Sequence, residues 1–129
     1  MRGLLTIPLA VLLAAAIGMI GCRLAGLQVS ALTVGIAGLA CVVAGELGLL
    51  PSLFARGASQ GTIAQAGLVG TIVHLFAAAV VAALVFLGHL NVGNSFIYWL
   101  LGFYWITLLV LAIEIARSVR LAHSNVAQP

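Results

Sequence analysis

Residues 66–87 read AGLVGTIVHLFAAAVVAALVFL and contain no acidic residue, no lysine and no arginine. A helix needs about 20 apolar residues to cross the hydrocarbon core of a bilayer, so this run is long enough to span one. The apolar residues are continuous and do not alternate with polar ones, which excludes a strand of a membrane β-barrel. The stretch therefore predicts a transmembrane helix.

The rest of the chain repeats this pattern. Three further apolar runs, at residues 3–21, 30–54 and 95–116, predict three more spans, and short segments with glycines and polar residues join them. Of all residues, 64% are hydrophobic and 5% are charged, whereas about a quarter are charged in soluble domains. We therefore expect an all-α membrane protein, one polytopic domain with four transmembrane helices over residues 1–129, whose last residues, 121–129, form a frayed tail.

The charged residues indicate the orientation of the chain. All five basic residues are arginines near the ends of the predicted spans, and no basic patch forms that could bind nucleic acid. The positive-inside rule favours the orientation that leaves only Arg23 outside. We therefore expect both termini in the cytoplasm and the chain in the inner (cytoplasmic) membrane of a bacterium. The expected topology anchors are Arg56, Glu114, Arg117 and Arg120.

Two segments allow a second interpretation. The first span could be a cleaved signal peptide, because an arginine precedes the apolar run and residues 19–22 resemble a lipoprotein cleavage box, although the run is long for a signal core. Residues 96–105 hold six of the nine aromatic side chains. They are expected to form an interfacial belt, with a ligand-binding aromatic cage as the alternative.

Two ionisable side chains are expected inside the membrane. Glu46 lies in the second span and His74 in the third, each about 10 Å from the same membrane end. Because these helices are antiparallel neighbours, the two side chains could form an intramembrane polar pair. A charged residue at the bilayer centre costs about 2.5–3.5 kcal/mol, so the pair could respond to protons or cations. The alternative is a plain interhelical hydrogen bond.

Small residues indicate where helices could approach closely. In the second span Gly35, Gly38 and Gly45 share one face, and in the third span Gly70 and Ala78 lie on one ridge with His74. Small side chains let helix backbones come together in membranes. The partner of these faces stays open: another helix of this chain, a second copy or another protein.

The sequence shows none of the residue patterns that indicate a disulfide, a metal site or catalysis. Cys22 and Cys41 are about 15 Å apart in depth, beyond the roughly 7 Å between Cα atoms that a disulfide spans. No nucleophile–base set, metal-ligand spacing or phosphate-binding loop occurs. We therefore expect a non-enzymatic protein without a cofactor or metal.

Two short segments resemble a known family. Residues 45–54 read GELGLLPSLF and residues 70–74 read GTIVH, with a polar loop between them. This order is similar to the ATP synthase protein I family, small four-helix membrane proteins encoded beside rotary ATP synthase subunits. In that family asparagine usually stands where this chain has Ser52, glutamate where it has Thr71, and lysine where it has His74.

The resemblance extends over about residues 33–116 and implies a function. Family members are implicated in assembling the c-subunit ring, and transport of divalent cations has been proposed for them. It implies an accessory protein whose glycine-rich faces hold c-subunits, with the a-subunit as a further partner. Two alternatives stay open: a small proton- or cation-coupled transporter, dimeric and using Glu46 and His74, or a structural subunit of a larger membrane complex.

Overall fold

The computed structural model describes the backbone of residues 2–55, 57–88 and 95–126, and the side chains of residues 5–55, 57–88 and 95–121. This part of the chain forms four α-helices and no strand: α1 (Arg2–Leu24), α2 (Ala31–Phe54), α3 (Gln60–Leu87) and α4 (Phe96–Val126). Each of them is long and apolar enough to cross a membrane. At 1.5 Å per residue they measure about 35 to 46 Å, compared with about 30 Å for the hydrocarbon core.

Local sequence explains how the helices end. Gly26, with φ of 72°, follows α1, and the N–H groups of Leu27 and Gly26 donate to the carbonyls of Cys22 and Arg23. This is the Schellman arrangement, which requires a left-handed residue and therefore favours glycine. At the start of α3, the Ser59 hydroxyl accepts a hydrogen bond from the backbone N–H of Thr62, as an N-cap does.

Three helices extend beyond the predicted spans: α1 by one residue at its start and three at its end, and α3 and α4 by more. α3 begins at Gln60, not at residue 66, because the Ser59 cap starts a helix in the polar segment before the apolar run. α4 continues to Val126, so the expected frayed tail is helical as far as that residue. No glycine or proline occurs between Gly102 and Pro129, and a helix can therefore leave the membrane without ending. Residues 127–129 lie outside the described part.

The helices are arranged around a central pair. α2 and α4 contact each other and both of the other helices, whereas α1 and α3 make no contact with each other in the described residues. α2 is the most buried helix and α1 the least. Consequently α1 and α3 lie on opposite sides of the α2–α4 pair, and much of their surface faces outwards.

The core consists of two apolar clusters at different depths. The larger one is built around Val11, Cys41 and Phe103, and the smaller one joins Ile7, Leu49 and Leu111. Two fully buried polar residues, His74 and Thr107, lie at a depth between these clusters. Their side chains form a hydrogen bond between α3 and α4, and the candidate site begins there.

Candidate functional site

A buried polar contact links α3 to α4. The Nε2 atom of His74 lies 3.1 Å from the Thr107 hydroxyl oxygen, and both residues are 0% exposed. The imidazole ring also packs against Tyr104, with 5.0 Å between ring centroids. The sequence places a histidine in α3, and the structure identifies Thr107 as the residue that holds it.

The hydrogen-bond network assigns the tautomer of His74. The single hydroxyl proton of Thr107 has two carbonyl acceptors on its own helix, Phe103 O at 2.9 Å and Tyr104 O at 3.0 Å. The hydroxyl therefore accepts from His74, and Nε2 carries the proton. The Nδ1 atom is then an unprotonated acceptor, and it is buried without a partner among the residues that the structure describes. The opposite tautomer would bury an unpaired N–H, which is the costlier arrangement.

Glu46 has no equivalent partner. Its residue is half-buried, but both carboxyl oxygens are shielded from solvent and no group in the described chain donates a hydrogen bond to them. A buried charge of this kind is costly unless it is protonated, paired or hydrated. Glu46 is therefore the least satisfied ionisable group in the described bundle.

The expected Glu46–His74 pair is not formed. Gly48 faces α3, because a Cβ added to it would lie 3.0 Å from the Cβ of His74. Glu46 precedes Gly48 by two residues, and two residues correspond to about 200° around a helix. The carboxyl group therefore points away from α3. Glu46 and His74 have matching depths, as expected, but they lie on different sides of α2.

α2 and α3 approach most closely where two glycines face each other. A Cβ added to Gly70 would overlap the carbonyl oxygen of Gly48, and one added to Gly48 would lie 2.9 Å from the carbonyl oxygen of Gly70. One turn before Gly70, Gly67 meets Ile115 of α4, where an added Cβ would lie 2.6 Å away. These contacts fix the position of α3 and set His74 opposite Thr107.

The structure places the other predicted packing residues as follows. Gly38 lies against Val11 and Phe103, and Gly45 lies against Ile7 and Thr107. Ala78 is buried and lines the seam between α3 and α4. Gly35 differs: it is exposed, and an added Cβ would meet no described atom within 4 Å.

Gly35 belongs to a surface that the bundle leaves uncovered. Residues at i, i+4, i+11 and i+15 share one side of a helix, since eleven residues make about three turns. Gly35, Leu39, Glu46 and Leu50 have this spacing, and Leu39 and Leu50 are 68% and 41% exposed. We call these four residues the outer face of α2. Among the described residues Gly35 has no packing neighbour, and Glu46 has no hydrogen-bond donor although the bundle covers both of its carboxyl oxygens.

The predicted anchors lie where the sequence places them along the helices. Glu114, Arg117 and Arg120 occupy the part of α4 that extends towards its C-terminal end, with Glu114 half-buried and the two arginines exposed. Arg56 lies outside the described residues. In the described part of the chain no cluster of three or more His, Cys, Asp or Glu side chains could hold a metal ion.

Sequence reasoning missed three residues of the site: Gly48, Gly67 and Thr107. Gly48 follows the predicted Gly45 by three residues, and Gly67 precedes the predicted Gly70 by three. Residues three apart are neighbours on a helix surface, so this spacing could have identified both glycines. Thr107 is the first serine or threonine in the apolar run of α4 after Ser95. Its depth matches that of His74 when α3 and α4 are drawn antiparallel, so a search for buried donors and acceptors could have paired them.

Comparison of the chain with protein-family models, with curated proteins and with solved structures finds no match.

Proposed function

We propose that this chain is an accessory membrane protein that holds an apolar transmembrane helix of a partner against the outer face of α2. The observation that carries the proposal is that Gly35 and Glu46, on one side of one helix, both lack partners in the described chain. No catalytic step is part of the proposed role.

Both residues are costly unless a partner compensates for them. Glycine is about 1 kcal/mol less favourable than alanine inside a helix, and at Gly35 no close packing within the bundle offsets that cost. A charged residue at the bilayer centre costs about 2.5–3.5 kcal/mol. A helix that packs its backbone against Gly35 would offset the first cost. To donate a hydrogen bond to Glu46 as well, it would require the glutamate side chain to turn outwards, because the bundle covers both carboxyl oxygens.

The resemblance to the ATP synthase protein I family suggests which partner this is. Residues 45–54 are one of the two segments that carry the resemblance, and they include Glu46 and Leu50 of the outer face. We therefore take the partner to be a c-subunit of a rotary ATP synthase, with the a-subunit nearby, and the role to be assembly of the c-ring. The same proposal places both termini in the cytoplasm of a bacterium and the chain in its inner membrane.

Affinity purification from the native membrane tests the proposal. Tagged protein is extracted in a gentle detergent, and the co-purifying subunits are identified by mass spectrometry. Recovery of c-subunits is expected, and Gly35→Leu should abolish it because the new side chain fills the face without a clash inside the bundle. The matched control is Gly21→Leu on α1, where an added Cβ also meets no described atom within 4 Å. Equal recovery with both variants would contradict the proposal, and self-association would indicate a second copy as the partner.

Proton-coupled transport is a second candidate function, favoured by His74. Its Nε2 atom bonds to Thr107 and its ring packs against Tyr104, while the buried Nδ1 atom has no partner in the described residues and could accept a proton. The test is proton flux into liposomes that contain the purified chain, driven by a potassium diffusion potential and followed with a pH-sensitive dye. Transport would require flux that Glu46→Gln or His74→Gln abolishes. Absence of flux, with c-subunit capture retained, would exclude this candidate.

A further inference from the structure

The groove between α1 and α4 is a separate feature of the bundle. It has a volume of ≈ 330 Å³, and its walls include Gly18 and Cys22 from α1 and Trp99 and Gly102 from α4. This volume is near the lower end of the range of about 300–1,000 Å³ for small-molecule sites. The lining is mostly apolar, so the groove suits a hydrocarbon chain better than a polar ligand.

Glycines give the groove its shape. The indole of Trp99 lies over Gly18, where an added Cβ would be only 2.5 Å from the ring. Gly102 leaves the opposite wall open, with no described atom within 4 Å of an added Cβ. From Cys22 to Ala14, the groove extends about 12 Å along α1, which is the length of eight residues of helix. This is an extended slot that runs from the membrane surface inwards.

An uncompensated positive charge lies at the mouth of the groove. Arg23 follows Cys22 directly, is exposed, and lines a second hollow of ≈ 550 Å³ together with Gln28 and Ser30. The two acidic residues of the chain, Glu46 and Glu114, lie about 22 Å and 27 Å along α2 and α4 from the ends nearest Arg23. Arginine, amide and hydroxyl groups are the donors that a phosphate accepts from.

We propose that an anionic phospholipid binds to the α1–α4 groove and the polar hollow beside it. Its phosphate lies at Arg23, Gln28 and Ser30, and one acyl chain lies in the groove. Cys22 lines the apolar groove, and the next residue, Arg23, lines the polar hollow, so the two binding regions are joined by neighbouring residues of the chain. A free phosphate would leave the groove empty, and a neutral lipid would leave Arg23 without a counter-charge. The site lies on a different side of the bundle from the outer face of α2, so it does not depend on the function proposed above.

Trp99 provides a direct probe of the site. The chain has two tryptophans, and Trp105→Phe leaves Trp99, which lines the groove, as the only tryptophan. This protein is reconstituted into phosphatidylcholine vesicles that contain an equal minor fraction of either brominated phosphatidylglycerol or brominated phosphatidylcholine. Bromine quenches tryptophan only at short range, so the quenching reports which acyl chains occupy the groove.

The expected result is selective quenching by the anionic lipid. One basic side chain near a membrane surface favours an anionic lipid by about fivefold, so the relative binding constant for phosphatidylglycerol should be about five. Arg23→Gln should bring it close to one, whereas Arg117→Gln, at the other end of the bundle, should leave it unchanged. Gly102→Leu should reduce quenching by both lipids because its side chain fills the groove, and Gly35→Leu should not.

Three results would overturn the proposal. Equal quenching of the unaltered site by both lipids would indicate only the ordinary lipid shell around a membrane protein. Selectivity for the anionic lipid that persists in Arg23→Gln would show that the lipid phosphate does not contact this arginine. Unchanged quenching in Gly102→Leu would show that the acyl chain lies outside the groove.

Discussion

Replacing Gly70 with alanine should force α2 and α3 apart. The new Cβ would overlap the carbonyl oxygen of Gly48, and an ordinary contact begins at 3.4 Å, so the helices must separate by roughly 1 Å. A gap of about 0.5–1 Å already removes a quarter to a half of the dispersion attraction between facing atoms. Overpacking of this kind typically costs about 1–3 kcal/mol, and it opposes the gain of about 1 kcal/mol in helix propensity that alanine brings.

Gly35 offers the matched control for this substitution. Gly35→Ala adds the same methyl group to a helix interior where no described atom lies within 4 Å, so only the propensity term remains. The propensity gain is the same in both variants, so we expect Gly70→Ala to be less stable than Gly35→Ala by the overpacking cost, about 1–3 kcal/mol. Gly48→Ala should lose a similar amount, and combining it with Gly70→Ala should cost less than the sum, because both press on the same helix pair.

Unfolding of the purified protein in mixed micelles of dodecyl sulfate and a mild detergent measures these differences. Tryptophan fluorescence follows the transition, since Trp99 and Trp105 both lie on α4. The midpoint should shift to lower dodecyl sulfate for Gly70→Ala and stay in place or rise for Gly35→Ala. Equal unfolding midpoints for Gly70→Ala and Gly35→Ala would contradict the close contact of α2 and α3 at Gly48 and Gly70. The position of His74 that depends on this contact would then be wrong as well.

Three further predictions concern the polar groups and the cysteines. Thr107→Val should destabilise the bundle by about 0.6–1.7 kcal/mol, the range for hydrogen bonds inside membranes, and a double-mutant cycle with His74→Phe should return a coupling energy of that size; no coupling would contradict the bond. Glu46→Leu should improve the apparent insertion free energy of α2 by about 3 kcal/mol in a glycosylation-reporter assay, and no improvement would mean that the carboxyl group is already compensated. A maleimide should label half-buried Cys22 of the folded protein well before Cys41, which is buried with its sulfur 3.6 Å from the Leu100 carbonyl oxygen; equal rates would contradict that burial.

The helices themselves could be predicted from the sequence, because apolar runs of sufficient length have few other solutions. Their ends could not. The cap at Ser59 and the absence of any breaker after Gly102 extend α3 and α4 into polar segments, where hydropathy carries no signal. The aromatic group of α4 divides for a related reason: Phe96 and Phe103 face the core, while Tyr98 and Trp105 face outwards. An interfacial belt accounts for the second pair only.

The direction in which each helix points was the harder part of the site to predict. Every side of these helices is apolar, so periodicity does not distinguish the core from the lipid, as it does in an amphipathic helix. Depth could be read from helical rise, and Glu46 and His74 do match in depth. The rotation of each helix about its axis is set by close contacts such as that between Gly48 and Gly70. The sequence pattern does not show that these glycines are packed against another helix while Gly35 is exposed.

One cross-linking measurement decides whether the outer face of α2 holds a partner. A photoreactive amino acid is placed at Leu39 in the cell membrane, and the matched position is Leu13 on α1, where the side chain is 56% exposed compared with 68% at Leu39. Irradiation should join Leu39, and not Leu13, to a c-subunit of the ATP synthase. A chain that cross-links only to lipid at Leu39, or equally at both positions, would contradict the proposed function.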